Sequence, residues 1–342
     1  ADTAGIVEGS FREGAGVGVS SLECLRNADC YLHLLRQFED ETVQHYEGSL
    51  DLARDLAVVH QELLQTDLDL IEAELTQVEQ LLHRGLGGDF TITQKNMLLR
   101  AFELVAGVPR SERPKLFKKN VTFKKMPLPR TCAGLPLRAG KWDSGERAML
   151  ADYRFLTSKC VLYLVNMSSR DFLRPGGTVQ VEALRVAREA AEMLAGDGDA
   201  DVLPVSLVFE EKLRCLERDE GAGALEMYVL ANPTHRSMLP VLVQQAQRAI
   251  GLLHFYTADN REVRCFALKK GRNIMEASAA LGVHVMRNFI RGDVVSYEDF
   301  RRYKGDRLKI MIEGRLKAET KKYIVNDGDI IDFCWHGQEK TV

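Results

Sequence analysis

The run Val161-Leu162-Tyr163-Leu164-Val165-Asn166-Met167 sets the class of architecture. Five apolar residues follow one another without polar alternation, and an Asn closes the run. This is a strand covered on both faces, as in parallel sheets flanked by helices. Its neighbours agree. Val181 to Leu194 has the spacing of an amphipathic helix, and Leu203 to Val208 is a second short apolar strand. Strand, helix and strand in that order predict an α/β layer fold. Towards the N-terminus, Cys30 to Leu35 is a further candidate strand, and Phe38 to Leu50 is the loop that leaves it.

Between these strands lies a long helical pattern from about Leu52 to Leu82. Leu52, Leu56, Val59 and Leu63 recur at four and three. After a one-step slip, Leu64, Leu68, Ile71, Leu75, Val78 and Leu82 continue. That is the spacing of a coiled-coil seam. Gly85, Gly87 and Gly88 end it, and Thr93 to Val105 is a second helix placed to run back as a hairpin. From Pro109 to Lys141 prolines break any helix, while Arg110, Arg113, Lys115, Lys118, Lys119, Lys124, Lys125 and Arg130 add positive charge. Two readings of this stretch stand. It is a solvated insertion, or, with Phe117 and Phe123 among the charges, an arm that contacts RNA phosphates.

The 342 residues are 45% apolar and 28% charged with a formal net charge of −3, so global basicity does not point to nucleic acid. Seven cysteines occur without a Cys-x-x-Cys pair, which favours reduced thiols over a metal site. Apart from His45, the histidines fall in no ligating spacing, and Asp67 and Asp69 read as a solvated helix face. No apolar run reaches the roughly 18 residues of a membrane span. A cytoplasmic protein with no membrane partner is expected. The chain begins with Ala1 rather than Met, so a fragment of a longer gene product is expected.

From Leu253 the pattern changes. Val263 to Leu268, Ile324-Val325 and Ile330 to Trp335 read as strands, Asn326-Asp327-Gly328-Asp329 as a tight turn, and Ile274 to Leu281 as one helix. A short mixed sheet with one helix fits a β-grasp domain.

At the N-terminus stands Asp2-Thr3-Ala4-Gly5. An Asp and a Gly at this spacing suit a Mg²⁺-associated carboxylate and a backbone N–H aimed at a γ-phosphate. Both roles require a Gly-x-x-x-x-Gly-Lys-Ser/Thr loop to cradle the phosphates. The chain contains none; Gly140-Lys141-Trp142 lacks the hydroxyl residue. The alternative is an ordinary strand-end turn.

Ordered blocks give the motif its context. Asp2-Thr3-Ala4-Gly5-Ile6-Val7-Glu8-Gly9, Gly14-Ala15-Gly16-Val17-Gly18, Phe38-Glu39-Asp40, Phe155 to Lys159, Tyr163 to Ser168, Phe289-Ile290-Arg291-Gly292 and Tyr323 to Ile331 follow one another along the chain. Together they resemble the Obg-like ATPase (YchF) family of P-loop nucleotidases. The resemblance implies an N-terminally incomplete P-loop (Obg-type G) domain at residues 1–50 and 150–250, a helical coiled-coil insertion at 51–149, and a C-terminal α+β TGS (β-grasp) domain at 252–337. It implies Mg²⁺ with ATP, held by Asp2, Gly5, Asn166, Met167 and Ser206, with Asp2 on the metal side. His45 takes the place of the residue that positions attacking water, because Ile6, after the switch glycine, is apolar.

Each assignment has a plainer rival: a solvated His45, an Asn166 that caps a helix near Ser168, and a buried strand-end Ser206. The chain also departs from the family pattern. Ser169 stands where the family's Glu would follow Asn166, which opens ATP against GTP; Glu8 replaces a Lys; and Val19 replaces an Asn. The implied function is an ATP-hydrolysing regulator associated with the ribosome or translation, with little hydrolysis expected from a chain that lacks the phosphate loop. The alternative is a non-catalytic adaptor that docks RNA or protein through its coiled coil and TGS domain. The basic residues from Lys269 to Lys322 read either as a solvated surface or as a phosphate-facing patch. Without a strand, the phosphate loop and its helix, the α/β part is expected to be the less stable.

Overall fold

In the computed structural model, residues 2, 3, 5, 6, 11, 16–107, 134–195, 200–258 and 262–336 are described. The Pro-rich basic stretch from 108 to 133 lies outside them. The chain forms two compact units, Ala1–Leu242 and Val243–Val342.

The first unit is built on a three-stranded parallel sheet in the order β1 (Cys30–Gln37), β2 (Cys160–Met167), β3 (Val202–Val205). β2 is central, and Leu162, Tyr163, Leu164 and Val165 are all buried, as expected of a strand covered on both faces. β1 is an edge strand. Tyr31 and Leu35 are buried, whereas Leu32 is 51% and Leu34 46% exposed. The helix Gly16–Asn27 (α1) precedes β1.

The long helix α2 (Leu52–His83) starts at an Asp51 cap, whose Oδ1 accepts the Arg54 N–H at 3.1 Å. Its buried stripe differs from the expected seam. It runs Leu52, Leu56, His60, Leu64, Leu68, Ile71, Leu75 and Val78 with no slip. His60 occupies the core position, and Val59 and Leu63 turn towards a surface cavity. A buried polar residue interrupts the apolar count, so the periodicity appeared to jump there.

Leu52 and Leu56 join the sheet core, and Leu64 to Val78 pack against α3 (Asp89–Ala106) through Met97, Leu98, Ala101, Phe102 and Val105. Asp67 is a correction to the solvated-face reading. It is fully buried, and its carboxylate accepts the Leu156 N–H at 2.8 Å, the Thr157 N–H at 2.7 Å and the Thr157 hydroxyl at 2.7 Å. It pins α2 to the segment that feeds β2. Asp69, one turn face away, is exposed and accepts from Gln65.

Helix α4 (Ser144–Tyr153) opens on a capping box between Asp143 and Glu146. After the one-turn helix α5 (Ser169–Phe172), α6 (Thr178–Ala195) buries a stripe of Ala183, Ala187, Ala190 and Ala191 against the sheet and α2. Small residues allow that close approach. The second apolar strand ends at Val205, earlier than expected, because Ser206 starts helix α7 (Leu207–Glu220), which takes Leu207 and Val208. Helices α8 (Ala222–Ala231) and α9 (Leu239–Ala249) follow.

The second unit carries a five-stranded mixed sheet in the order β5-β4-β8-β6-β7. The strands are β4 (Leu252–Ala258), β5 (Val263–Lys269), β6 (Phe289–Ser296), β7 (Lys317–Glu319) and β8 (Asp329–Trp335). One core holds Leu253, Phe255, Ile274, Ala277, Val285, Phe289, Val294, Val325, Ile331 and Phe333. In place of the expected single helix from Ile274 to Leu281 there are four short ones among the described residues: Ile274–Ser278 and Val283–Arg287, separated at Gly282 with φ 143°, then Tyr297–Arg302 and Arg307–Ile312. Asn326-Asp327-Gly328-Asp329 is the expected tight turn, closed by the Asp329 N–H to the Asn326 carbonyl at 3.2 Å, but it joins no hairpin, since Ile324 makes only an isolated bridge to Asn273. It is anchored instead to β4, where Asp327 Oδ1 accepts the His254 N–H at 2.7 Å, and Gly328 has φ 84°. A Cβ at Gly292 would lie 2.4 Å from Ile274 Cδ1, so β6 passes that helix closely and a larger residue there would displace the Ile274 side chain.

Candidate functional site

In an open parallel sheet, ligands bind beyond the carboxyl ends of the strands. Those ends are at Gln37, Met167 and Val205 here, with Arg36 beside Asn166 and Asn166 beside Val205 in register.

Asn166 is half-buried, and its Oδ1 accepts the Leu207 N–H at 3.1 Å, tying the end of β2 to the start of α7. The helix cap near Ser168 is Ser168 itself, whose Oγ accepts the Asp171 N–H at 3.2 Å, so Asn166 does not serve there. Met167 is 1% exposed and packs in the sheet core. Its side chain is thereby part of the floor. Ser206 is fully buried, and its Oγ lies 3.4 Å from the Oγ of Ser169. The residue that departs from the family pattern thus touches the strand-end Ser. This pairing is invisible in the sequence, since 37 positions separate the two.

The loop after β1 is held by Arg36. Its guanidinium donates to the carbonyls of Phe38 (3.0 Å), Val43 (2.8 Å) and Asp40 (3.3 Å), and it lies 4.7 Å from the Phe38 ring centroid. His45 follows in the same loop. Its Nε2 lies 2.9 Å from Asp55 Oδ2, and its Nδ1 accepts the Glu47 N–H at 3.2 Å. Acceptance at Nδ1 places the proton on Nε2, donated to the carboxylate. Asp55 in turn receives Arg54 through Nε at 3.2 Å and Nη2 at 3.0 Å. The His45 ring is therefore oriented by a carboxylate on α2, and not solvated. Its free-base nitrogen is engaged, and it reaches a water only by releasing the Glu47 N–H.

Asp2, Thr3, Gly5 and Ile6 line an open cavity of about 510 Å³ together with His45, Tyr46, Asp55 and the β1 face bearing Leu32 and Leu34. Asp2 is exposed there. A Cβ built on Gly5 would meet nothing within 4 Å, so the protein's own packing leaves that side open. The structure thus gathers Asp2, Gly5 and His45 around one space. Asn166, Met167 and Ser206 stand at the neighbouring strand ends and do not line it.

Mg²⁺ is commonly held by one or two carboxylates with phosphate oxygens and waters. Asp2 fits as such a single ligand. Among the described residues no group of three His, Cys, Asp or Glu side chains could hold a metal unaided. Also among them, no helix is long and apolar enough to cross a membrane.

Two histidines, His33 half-buried and His60 buried, stand beside this region. His33 on β1 and His60 on α2 are both pushed down to about 4 by burial; Asp55 pulls His33 the other way, and Arg138 lowers His60 further. Burial raises Asp67 to about 6 against the pull of its three donors. Sequence spacing gave no signal for either histidine.

The family model YchF-GTPase_C, described as "Protein of unknown function (DUF933)", matches residues 252–335. Obg-like ATPase 1 of Homo sapiens is 30% identical over 332 residues, covering 97% of this chain and 74% of that protein. The ribosome-binding ATPase YchF of Bacillus subtilis is 28% identical over 333 residues, covering 97% and 80%. The solved structure of the Schizosaccharomyces pombe YchF GTPase superposes with a TM-score of 0.74 at 25% identity, covering 94% of this chain and 76% of that one.

Proposed function

We propose that this chain, which belongs to the YchF/Obg-like ATPase family, is a nucleotide-binding component of a translation-associated ATPase. Its ligand is a nucleoside triphosphate carrying Mg²⁺. The observation that carries this reading is the convergence of Asp2, Gly5 and the Asp55-oriented His45 on one open cavity. Asp2 would face the ion, the Gly5 backbone N–H the terminal phosphate, and His45 the attacking water. Asn166 and Ser206 would meet the base at the adjoining strand ends. In place of an acidic side chain, Ser169 presents a hydroxyl beside Ser206, which supports use of both ATP and GTP.

These 342 residues contain no phosphate-cradling loop, and that loop with its Lys supplies much of the affinity and of the transition-state stabilisation. Weak binding and little turnover are therefore expected of the chain by itself. The test is equilibrium binding of fluorescent ATP and GTP analogues to the full chain with Mg²⁺, with phosphate release measured alongside. Binding weakened about tenfold in Asn166→Ala, with similar affinity for both bases, supports the reading. Binding indifferent to Asn166, Asp2 and His45 removes it.

A second reading, the non-catalytic adaptor, is favoured by the engagement of both ring nitrogens of His45. In this reading the second unit is a TGS domain that docks RNA of the ribosome. Several of its basic residues are already paired, Arg272 with Glu276 and Arg307 with Asp293 and Asp332, so phosphate contact falls to others such as Lys270, Lys317, Lys321 and Lys322. Co-sedimentation with ribosomes should fall steeply with salt, by roughly one log–log unit per phosphate contact. The quadruple Ala variant of Lys118, Lys119, Lys124 and Lys125 tests the insertion. Salt-independent association argues against an RNA phosphate interface.

A further inference from the structure

At the end of the three-stranded sheet away from this site, two thiols stand side by side. Cys30 is the first residue of β1, Cys160 the first of β2, and the two are register partners. Adjacent strands lie about 4.8 Å apart, and in-register residues of a parallel pair point to the same face. That separation falls within the roughly 4.4–6.8 Å between Cα atoms that a disulfide spans. The two thiols interact directly, and neither is in a disulfide. We propose that Cys30 and Cys160 form a reversible oxidation site, a dithiol that closes into a disulfide across β1 and β2 on reaction with a small-molecule disulfide such as oxidised glutathione.

Several local features favour closure. Both residues are partly exposed, so a small oxidant reaches them. Each sits where its strand begins, and the backbone of a strand end adjusts more readily than that of a strand centre. The two thiols influence each other's ionisation, lowering the pKa of Cys160 and raising that of Cys30, while the Cys30 S–H donates to the Tyr31 carbonyl at 3.6 Å. Ionisation of either thiol gives the attacking thiolate, and the steps are the same with the two interchanged. The Cys160 S–H donates to the Asp29 carbonyl at 3.5 Å, and Lys159 Nζ donates to the Leu25 carbonyl at 2.8 Å, so the turn between α1 and β1 is already docked on the start of β2.

The chemistry balances in two exchanges. The Cys160 thiolate attacks one sulfur of the oxidised glutathione, forming a mixed disulfide and expelling one glutathione thiolate. Cys30 then loses its proton to solvent, attacks the Cys160 sulfur and expels the second glutathione thiolate. One disulfide is reduced to two thiols, and the protein dithiol is oxidised. The bond ties together chain positions on either side of the whole helical hairpin. Asn166 lies six residues further along β2, roughly 20 Å away, so the link acts on the stability of the first unit and not on the strand-end site.

The test incubates the full chain in glutathione buffers from reducing to oxidising, then digests it without reduction and maps the peptides by mass. The expected result is a Cys30–Cys160 linked peptide about 2 Da lighter than its parts, abolished by excess thiol. Oxidised wild type should unfold at a higher denaturant concentration than reduced. Cys30→Ser and Cys160→Ser should lose that rise, whereas Cys265→Ser, in the second unit, should keep it. Should either strand variant fail to fold, the wild-type peptide map decides alone. A persistent glutathione adduct on Cys160 or Cys30 without closure overturns the proposal. So does a link from either cysteine to a third one, or the absence of the link while the exposed Cys24 and Cys265 react.

Discussion

The two sheets of this protein solve burial in different ways. The five-stranded sheet of the second unit closes its core on one face, with Phe255, Phe333 and Ile331 almost completely shielded by short helices. The three-stranded sheet of the first unit has a fully covered central strand but an edge, β1, that shows Leu32 and Leu34 to solvent above the cavity shared by Asp2 and His45. The first unit compensates with long-range polar ties, above all Asp67 to Leu156 and Thr157. The second unit has buried carboxylates as well, Asp293 beside Arg291 and Arg307 and Asp329 accepting from Tyr323 and Asn326, so the units differ chiefly in the open edge of β1.

That contrast can be broken experimentally, since each unit holds one of the two tryptophans, Trp142 and Trp335, as its own fluorescence probe. The largest effect is expected from Phe333→Ala, which opens a cavity in the second core and should cost roughly 3–5 kcal/mol, seen by Trp335 and not by Trp142. Parallel shifts at both probes would mean that the units unfold as one.

Next comes Asp67→Ala. It strands two buried N–H groups and should cost about 3 kcal/mol in the first unit, with Asp67→Asn losing less. An unchanged Trp142 transition would return Asp67 to the solvated role that its sequence suggested.

Acid should act selectively on the first unit as well. The folded-state values of His33 and His60, about 4, lie below the ordinary 6.5, so the unfolded chain binds more protons in that interval. The stability they confer is present above about pH 6.5 and is lost as pH falls towards 4. Asp67, raised to about 6, has the opposite sign: its contribution is present below about 3.8 and is lost as pH rises through 6. Two histidines against one carboxylate leave a net loss of roughly 4 kcal/mol on acidification. His60→Leu should flatten this slope in Trp142-monitored unfolding. The smallest effect is expected from Leu34→Lys on the open edge, within about 0.5 kcal/mol. A fall of several times that would show that the face is covered in solution.

Much of this was legible in the residues. The unbroken apolar run at Val161 to Val165 identified the central strand, because burial on both faces removes alternation. Leu52 to Leu82 identified the long helix for the opposite reason, a clear period. His60 and Asp67 were missed because polar residues in a core mimic a solvated face; only their partners, about 90 positions away for Asp67, show otherwise. Leu207 and Val208 read as strand because an apolar pair carries no period, and Ser206 as a helix start was the weaker signal. At the site, His45 was visible in the loop after β1, whereas Ser169 against Ser206 was not. That contact depends on how two strand ends meet, which no local pattern encodes.

One continuous helix, α2, has its first turns at the His45–Asp55 pair and its last turns in the hairpin core. At 32 residues it is a rod about 48 Å long. Long helices curve gently, and α2 has no proline to kink it sharply. A tilt of only ~5° at the His45 end therefore displaces the hairpin tip by roughly 4 Å. The geometry is that of a lever, with its short arm at the loop beside the cavity and its long arm at the farthest point of the hairpin.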